Sequence, residues 1–210
     1  MPRRIDHAVG RAAGRRGAGA FDVNTRGASA PEPDDGRRPR QVVLISGPPG
    51  AGKSTIAAPL AQALGFALLS KDTIKETLFE SLRAPAGDEA WSKRLSNAAM
   101  DVLFALAAHC PRVVLDANFK PDDPRQRERV AALGGSIVEV YCRCDPQTAM
   151  RRYAQRAEAR HPAHALKRLA PELVARHGRP MNSSPVIEVD TNAPVDLPDL
   201  LRRVREAFLH

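Results

Sequence analysis

Aromatic residues are scarce in this chain, and it has no long apolar run. Phe, Tyr and Trp make up 4% of the 210 residues, although apolar residues as a whole make up 43%, so we expect a core of Leu, Val, Ile and Ala. No stretch has the length and apolar character of a membrane-spanning helix, and no apolar segment of a secretory signal follows the basic start. Length and composition predict one folded domain with an extension.

Cysteine is also rare. The three cysteines, Cys110, Cys142 and Cys144, are odd in number and include no Cys-x-x-Cys pair, which argues against a disulfide framework and a cysteine-based metal site. We therefore expect reduced thiols and a cytoplasmic protein. The chain also lacks Asn-Lys-x-Asp, by which GTPases recognise guanine, and the signature of ABC-type ATPases.

The net charge of +8 is divided between two parts of the chain. Residues 1–40 contain nine Arg and five acidic residues and show no sustained periodicity, so we expect a disordered extension. It either binds something acidic or reflects an upstream start codon in the gene model. A basic chain attracts nucleic acid, but few aromatics are present to stack on bases, and a nucleic-acid partner is not favoured.

A phosphate-binding loop is the strongest motif of the chain. Gly47-Pro48-Pro49-Gly50-Ala51-Gly52-Lys53-Ser54-Thr55 fits Gly, four residues, Gly-Lys-Ser, between an apolar run and a helix-forming run. The glycines let backbone amides point at one anion, Lys53 can reach the β and γ phosphates, and Ser54 presents a hydroxyl to Mg²⁺. The helix that follows directs its positive end at the same phosphates.

Beyond Gln41, strand and helix patterns alternate. This alternation predicts an α/β fold with a five-stranded parallel sheet and a ligand at the carboxyl ends of its strands. The predicted strands are Val42–Ser46, Phe66–Ser70, Val113–Asp116, Ile137–Cys142 and Val186–Asp190. Helices are predicted after each strand, including an arginine-rich one from Pro146 to about Arg160.

Asp72 follows the second predicted strand, where a side chain faces the γ phosphate across the cleft. A carboxylate at this position can accept the proton of an attacking hydroxyl. Asp72 is equally suited to cap the helix that begins there, and one residue can do both.

Asp116 ends an apolar strand in the manner of a Walker B carboxylate. Such a residue holds Mg²⁺ directly or through water, although many buried strands end in Asp for capping reasons. Asn118 follows and can contact the acceptor or a water molecule.

The predicted arginine-rich helix places Arg152, Arg156 and Arg160 on one face, at i, i+4 and i+8. Three guanidinium groups on one face repel each other. Either they bind an anion such as the triphosphate, or they form a solvated face on which Glu158 reduces the repulsion. The histidines that follow are expected on a lid surface or at the acceptor, without a structural metal.

These motifs resemble those of the P-loop kinase superfamily. The similarity covers about residues 41–209 and points to the small AAA-type ATP-binding proteins grouped with zeta toxin, chloramphenicol phosphotransferase and polynucleotide kinases. It implies a three-layer α/β sandwich of the P-loop NTPase fold, with sheet order 2-3-1-4-5, Mg-ATP as donor and a helical lid. It further implies that Asp72 is the catalytic base and that Arg152 or Arg156 is the lid arginine.

The sequence therefore predicts a kinase domain at 41–210, with a lid at about 152–183, that transfers the γ phosphate of ATP to a hydroxyl of a small molecule. Lys53, Asp72, Arg152 and Arg156 are its expected catalytic residues. Ser54 and Asp116 are its expected Mg²⁺ ligands. Two alternatives stay open, a polynucleotide 5′-hydroxyl kinase and a nucleotide-dependent switch or ATPase without an acceptor. The acceptor and the oligomeric state do not follow from the sequence.

Overall fold

The computed structural model describes residues 39–182 and 185–209. Within these residues, five strands form one parallel sheet. The strands are β1 (Gln41–Ser46), β2 (Ala67–Ser70), β3 (Arg112–Asp116), β4 (Ser136–Arg143) and β5 (Val186–Asp190). Their spatial order is β2-β3-β1-β4-β5, so the α/β class and the sheet order expected from the sequence are confirmed.

Helices cover both faces of this sheet. Those within the described residues are α1 (Lys53–Leu64), α2 (Lys71–Ser81), α3 (Glu89–Ala107), α4 (Pro124–Ala132), α5 (Pro146–Gln155), α6 (Pro171–Ala175) and α7 (Leu197–Ala207). Because both faces are covered, the central strands are apolar throughout, and Val42–Ile45 has no exposed residue.

Successive residues of β1 contribute to two separate core clusters. Val43 and Ile45 pack with Leu60 of α1 and with residues of α7. Val42 and Leu44 pack on the opposite face with residues of α3 and α4. The alternation of side chains along a strand thus produces the predicted three layers.

The strand register brings three carboxyl ends together. Asp116 at the end of β3 pairs with Ile45 of β1 on one side and with Ser70 of β2 on the other. The loop after β1, the start of α2 and the end of β3 therefore lie side by side at one edge of the sheet.

Two local predictions are corrected. The arginine-rich helix ends at Gln155, and Arg156 is its C-cap, because the chain turns back there. Tyr153 Oη donates to Leu166 O at 3.2 Å, and the Arg160 guanidinium lies 4.1 Å from the centre of the Tyr153 ring. These tertiary contacts override the helical tendency of the Ala- and Arg-rich sequence, so the three arginines do not share one helix face.

The start of the folded domain also differs from the predicted boundary. Arg40, assigned to the extension, donates hydrogen bonds of 2.6 Å to Leu133 O and Ala108 O, and its own carbonyl accepts from Ser136 N. It therefore belongs to the folded domain. The expectation of disorder over the rest of 1–40 falls on residues outside those described, apart from Pro39. In the part of the chain that is described, no helix combines the length and apolarity needed to cross a membrane.

Candidate active site

The loop between β1 and α1 depends on its glycines. Gly47, Gly50 and Gly52 have φ values of 127°, 87° and 78°, which side-chain-bearing residues rarely adopt. A Cβ on Gly47 would lie 2.5 Å from Cys142 O, and one on Gly50 would overlap the backbone of Ala149. Gly52 is the N-cap of α1 and provides no side-chain cap, so the first amides of α1 remain available to an anion.

Lys53 opens α1 with its ammonium turned back over the loop. It is 7% exposed, and its Nζ donates to Gly47 O at 2.9 Å and to Pro48 O at 2.8 Å. Burial lowers the pKa of Lys53 below its ordinary value, against the opposing effect of Asp116. A desolvated ammonium interacts strongly with a phosphate that reaches it.

Ser54 and Asp116 meet at the floor of the site. Ser54 Oγ donates a 2.7 Å hydrogen bond to Asp116 Oδ2, and Asp116 is 6% exposed. Burial raises the pKa of Asp116, partly offset by the hydrogen bond from Ser54 and by Lys53. A hydroxyl and one carboxylate fit Mg²⁺, which takes few protein ligands and completes its shell with water and phosphate oxygens.

Asp72 lies in the first turn of α2, and it is not the cap of that helix. The N-cap is Ser70, whose side chain accepts from Thr73 N. Burial raises the pKa of Asp72, but Lys71, His164 and Lys53 outweigh this effect and hold the pKa below its ordinary value. The carboxylate is therefore ionised at neutral pH and can accept a hydrogen bond from a hydroxyl.

These groups surround a central cavity of about 340 Å³. Lys53, Ser54 and Asp116 line it, together with Asp72 and Asn118. The structure thus brings together the phosphate-binding loop, the expected Mg²⁺ ligands and the expected base around one space large enough for a triphosphate.

The two predicted lid arginines have different positions. Arg156 lines the central cavity. Arg152 does not: its guanidinium donates to Thr191 O at 2.8 Å and to Asn192 O at 3.3 Å. It lines a second cavity, of about 620 Å³, which shares Gly50 and Gly52 with the central one. Arg160, outside the predicted catalytic set, lines the central cavity as well.

A family model described as AAA domain matches residues 42–178, well over half of the chain. The chain belongs to this AAA domain family. The match begins in β1 and extends past α6, so it includes all the residues that line the central cavity.

Solved structures share the fold of this AAA domain. A candidate kinase from Chloroflexus aurantiacus J-10-fl is 26% identical with a TM-score of 0.71, and the alignment covers 81% of this chain and 99% of that one. Shikimate kinase from Bacteroides thetaiotaomicron is 16% identical with a TM-score of 0.52, over 80% and 98% of the two chains. The fold is that of the P-loop kinases.

Curated relatives match a shorter segment of the AAA domain. A cytidylate kinase of Pseudomonas fluorescens strain Pf-5 is 35% identical over 103 residues, which are 47% of this chain and 44% of the relative. The cytidylate kinase of strain SBW25 gives the same identity and coverage. The matched segment therefore spans less than half the length of these relatives.

Residues 156–182, which we call the closing segment, cross the outer side of the site in this AAA domain and contact α2. His164 Nε2 lies 2.8 Å from Glu76 Oε1, and His161 Nε2 lies 3.0 Å from Glu80 Oε1. Ala163 O accepts a 2.8 Å hydrogen bond from Ser92 Oγ of α3. The closing segment thus lies across the cleft and is joined to its far wall.

The closing segment is also attached to the sheet at its other end. Glu139 of β4 is fully buried, and its carboxylate accepts hydrogen bonds from Met181 N at 2.9 Å and Asn182 N at 3.2 Å. Ser46 at the end of β1 donates to the same carboxylate at 2.5 Å. This carboxylate ties the end of the closing segment to the base of the phosphate-binding loop.

Sequence analysis did not assign several nearby polar residues to the site. A third cavity of about 840 Å³ shares Asp72, Asn118 and Arg160 with the central cavity. Lys71, Lys75, Ser92 and Ser96 also line this third cavity. Helical spacing supplies a signal for Lys75 and Glu76, because positions i+3 and i+4 from Asp72 share its face. No local signal marks Ser92 and Ser96, which approach only when α3 packs against α2.

Proposed function

We propose that this protein is an ATP-dependent kinase that transfers the γ phosphate of ATP to a hydroxyl of a small molecule. The observation that carries the proposal is that Lys53, Ser54, Asp116 and the ionised Asp72 line one central cavity. Phosphoryl transfer needs positioned phosphates, a cation and an oriented nucleophile, and these residues provide the means for each.

In this proposal, ATP would extend across two adjoining cavities. The loop amides and Lys53 would hold the β and γ phosphates in the central cavity. The second cavity shares Gly50, Gly52 and Arg156 with it and has apolar walls that include Ile56 and Val195, which suit a nucleotide base. Arg156 lies where the two cavities meet, within reach of a polyphosphate.

Each of these residues has a role in the transfer of the γ phosphate. The acceptor oxygen forms a bond to the γ phosphorus, the bond from that phosphorus to the β–γ bridging oxygen breaks, and ADP leaves with the electron pair. Asp72 orients the acceptor hydroxyl and takes its proton. Ser54 and Asp116 would hold Mg²⁺, which neutralises charge on the phosphate oxygens when it is bound.

The closing segment fits the role of the lid predicted at about 152–183. A lid keeps water from the γ phosphate and so suppresses hydrolysis. Its contacts with Glu76 and Glu80 in α2 join the wall that carries Asp72 to the segment that carries Arg160. In this proposal, the closed arrangement completes the catalytic site.

The cytidylate kinase relatives support a nucleotide-dependent phosphotransferase. They also favour a second candidate, in which the acceptor atom is a phosphate oxygen of a nucleoside monophosphate. The two candidates differ in their need for a base: a phosphate oxygen has no proton to lose, so only transfer to a hydroxyl depends on Asp72 for proton removal.

Two measurements test the proposal. Calorimetry with Mg-ATP is expected to detect binding to the wild type and little or none to Lys53→Ala. Transfer of radiolabelled γ phosphate to pooled nucleosides, sugars, aminoglycosides and oligonucleotides is expected to label a small molecule. Labelling of oligonucleotides alone would favour a polynucleotide kinase. Hydrolysis indifferent to every acceptor would favour a switch, and absence of ATP binding would reject the assignment to ATP.

A further inference from the structure

The third cavity has the position expected for the acceptor. It lies between α2, α3 and the closing segment, and it meets the central cavity at Asp72, Asn118 and Arg160. A molecule in it would therefore have one end beside the carboxylate of Asp72 while the rest lies away from the phosphate-binding loop. The remaining walls of this cavity would contact the non-reacting part of the acceptor.

Those walls carry excess positive charge. Seven Lys or Arg residues and four Asp or Glu residues line the cavity. Two of the carboxylates nearest the reacting end already have partners: Asp72 pairs with Lys71 at 3.3 Å, and Glu76, which lines the central cavity, pairs with His164 at 2.8 Å. Arg129 pairs with Asp101, and both line the cavity. Lys75 and Arg160 have no ion pair with a carboxylate among the described residues.

Lys75 is the most buried of these cations. It is 4% exposed, and among the described residues its ammonium donates one hydrogen bond, 2.8 Å to Ser92 Oγ. An ammonium can donate three. Burial, followed by the neighbouring Lys71, lowers the pKa of Lys75 to about 8, and the attraction of Asp72 and Glu76 offsets this only in part. Such a shift is expected of a buried cation that has no carboxylate in direct contact.

Arg160 is a second cation in this cavity with an unused hydrogen-bond donor. Its guanidinium lies over the Tyr153 ring, and its Nη1 is buried without a hydrogen-bond partner among the described residues. Buried donors are nearly always paired, and an unpaired one on a cation is especially unfavourable. Arg160 also lines the third cavity, so a small shift of its side chain toward a ligand oxygen would supply the missing acceptor.

We propose that the acceptor is a small molecule carrying a carboxylate or phosphate group, which Lys75 and Arg160 bind in the third cavity. This inference rests on the proposed kinase function and narrows its substrate class. The anionic group anchors one end of the molecule, and this anchoring presents the accepting oxygen to Asp72. Sugar acids, sugar phosphates and nucleoside monophosphates belong to this class, whereas neutral sugars, nucleosides and cationic aminoglycosides do not.

Matched pairs of acceptors test the charge requirement. Labelling from γ-labelled ATP is compared for glucose and gluconate and for glucose and glucose 6-phosphate, with cytidine, kanamycin and a 5′-hydroxyl oligonucleotide as further arms. We expect the anionic member of a pair to be labelled with kcat/KM at least about tenfold higher, as charge-assisted hydrogen bonds allow. Equal or better labelling of a neutral sugar, a nucleoside, kanamycin or the oligonucleotide overturns the proposal.

Substitution of Lys75 tests the residue itself. For the labelled acceptor, Lys75→Met is expected to raise KM about tenfold or more while kcat changes little, because the lost contact is made equally in ground and transition states. Lys75→Arg, which keeps the cation, should restore much of this loss. Arg127→Met removes the same charge from an exposed site on α4 outside the three cavities and should leave KM unchanged. Equal KM values in the wild type and Lys75→Met contradict the proposal.

If none of these acceptors is labelled, the anion site is tested by measuring how an anion binds to the nucleotide-loaded protein. Gluconate, which chelates Mg²⁺ only very weakly, is titrated into protein saturated with Mg²⁺ and a non-hydrolysable ATP analogue. Binding that weakens about tenfold in Lys75→Met supports an anion site. Absent binding, or equal binding in both proteins, overturns it. Failure of Mg-ATP itself to bind would instead reject the kinase proposal, so the two failures are distinguishable.

Discussion

His164 Nε2 lies 2.8 Å from Glu76 Oε1, and this contact joins the closing segment to the helix that carries Asp72. The His164 side chain is 8% exposed and that of Glu76 is 37% exposed, so the histidine end of the contact is shielded from water. The groups that face it are Asp72, Glu76 and Lys75 of α2 and Arg160 of its own segment. Its protonation state therefore bears on the closed arrangement of the site.

We expect the closed arrangement to lose stability as the pH falls below about 6.5. Burial lowers the pKa of His164 below its ordinary value, and the attraction of Asp72 and Glu76 does not fully offset this. The unfolded chain therefore binds a proton at a higher pH than the folded chain does, and stability is present above the unfolded pKa and lost as the pH falls through the folded one.

Thermal unfolding between pH 7.5 and 5.5 measures this effect. The wild type should show a falling Tm, and His164→Gln should show a shallower fall because the amide does not titrate. Some dependence of Tm on pH should remain in this variant because of His177. Burial also lowers the pKa of that histidine. Identical pH profiles for the wild type and His164→Gln would contradict the assignment.

Asp72→Asn separates binding from chemistry. The amide keeps the shape of the side chain and cannot take a proton, so Mg-ATP affinity should stay close to that of the wild type while kcat for a hydroxyl acceptor falls about 10²- to 10⁴-fold. Calorimetry and single-turnover transfer give the two quantities. Wild-type-like turnover in this variant would remove Asp72 as the base.

Ser70→Ala is the matched control for Asp72→Asn, because Ser70 is the residue that caps α2. Its loss should lower the free energy of unfolding by about 1 kcal/mol and leave kcat nearly unchanged at a temperature where the protein is folded. The pair distinguishes a capping role from a catalytic one, which the sequence alone left open.

The sequence was sufficient for the features that depend on local chemistry. The apolar runs that become β1 and β3 predicted their strands because both faces of a parallel sheet are buried. The loop from Gly47 to Ser54 and the carboxylate of Asp116 were predicted as site residues because phosphate and Mg²⁺ chemistry requires these residue types at the ends of strands. The structure places them beside one cavity, and their roles remain predictions.

Features that depend on packing were not predictable in the same way. The end of α5 at Gln155 is decided by contacts of Tyr153 with Arg160 and with Leu166. Leu166 lies beyond the predicted helix, so helical periodicity gives no sign of its contact. Lys75 meets Ser92 only because α2 and α3 pack together. Composition groups Arg40 with the basic extension. Its hydrogen bonds to Leu133 O and Ala108 O, which attach it to the folded domain, cannot be read from the local sequence.

Lys53→Ala should remove phosphoryl transfer. The ammonium is the buried cation nearest to the loop carbonyls, and the loss of one preorganised cation or donor of this kind typically lowers kcat about 10²- to 10³-fold. Steady-state transfer assays with Arg127→Ala as the charge-matched control measure the effect. A reduction of equal size in both variants would attribute it to net charge rather than to the site.

Gly50→Ala and Gly52→Ala test how the loop tolerates side chains. Both glycines have positive φ, 87° and 78°, so an alanine is strained by about 1 to 2 kcal/mol at either position. At Gly50 the added Cβ would also overlap the backbone of Ala149, whereas at Gly52 it meets no atom within 4 Å. Because α5 must shift to accommodate the first change, Gly50→Ala should lower the free energy of unfolding by about 1 to 3 kcal/mol more than Gly52→Ala. Urea unfolding without nucleotide measures the difference, and equal losses would show that the loop does not press against α5.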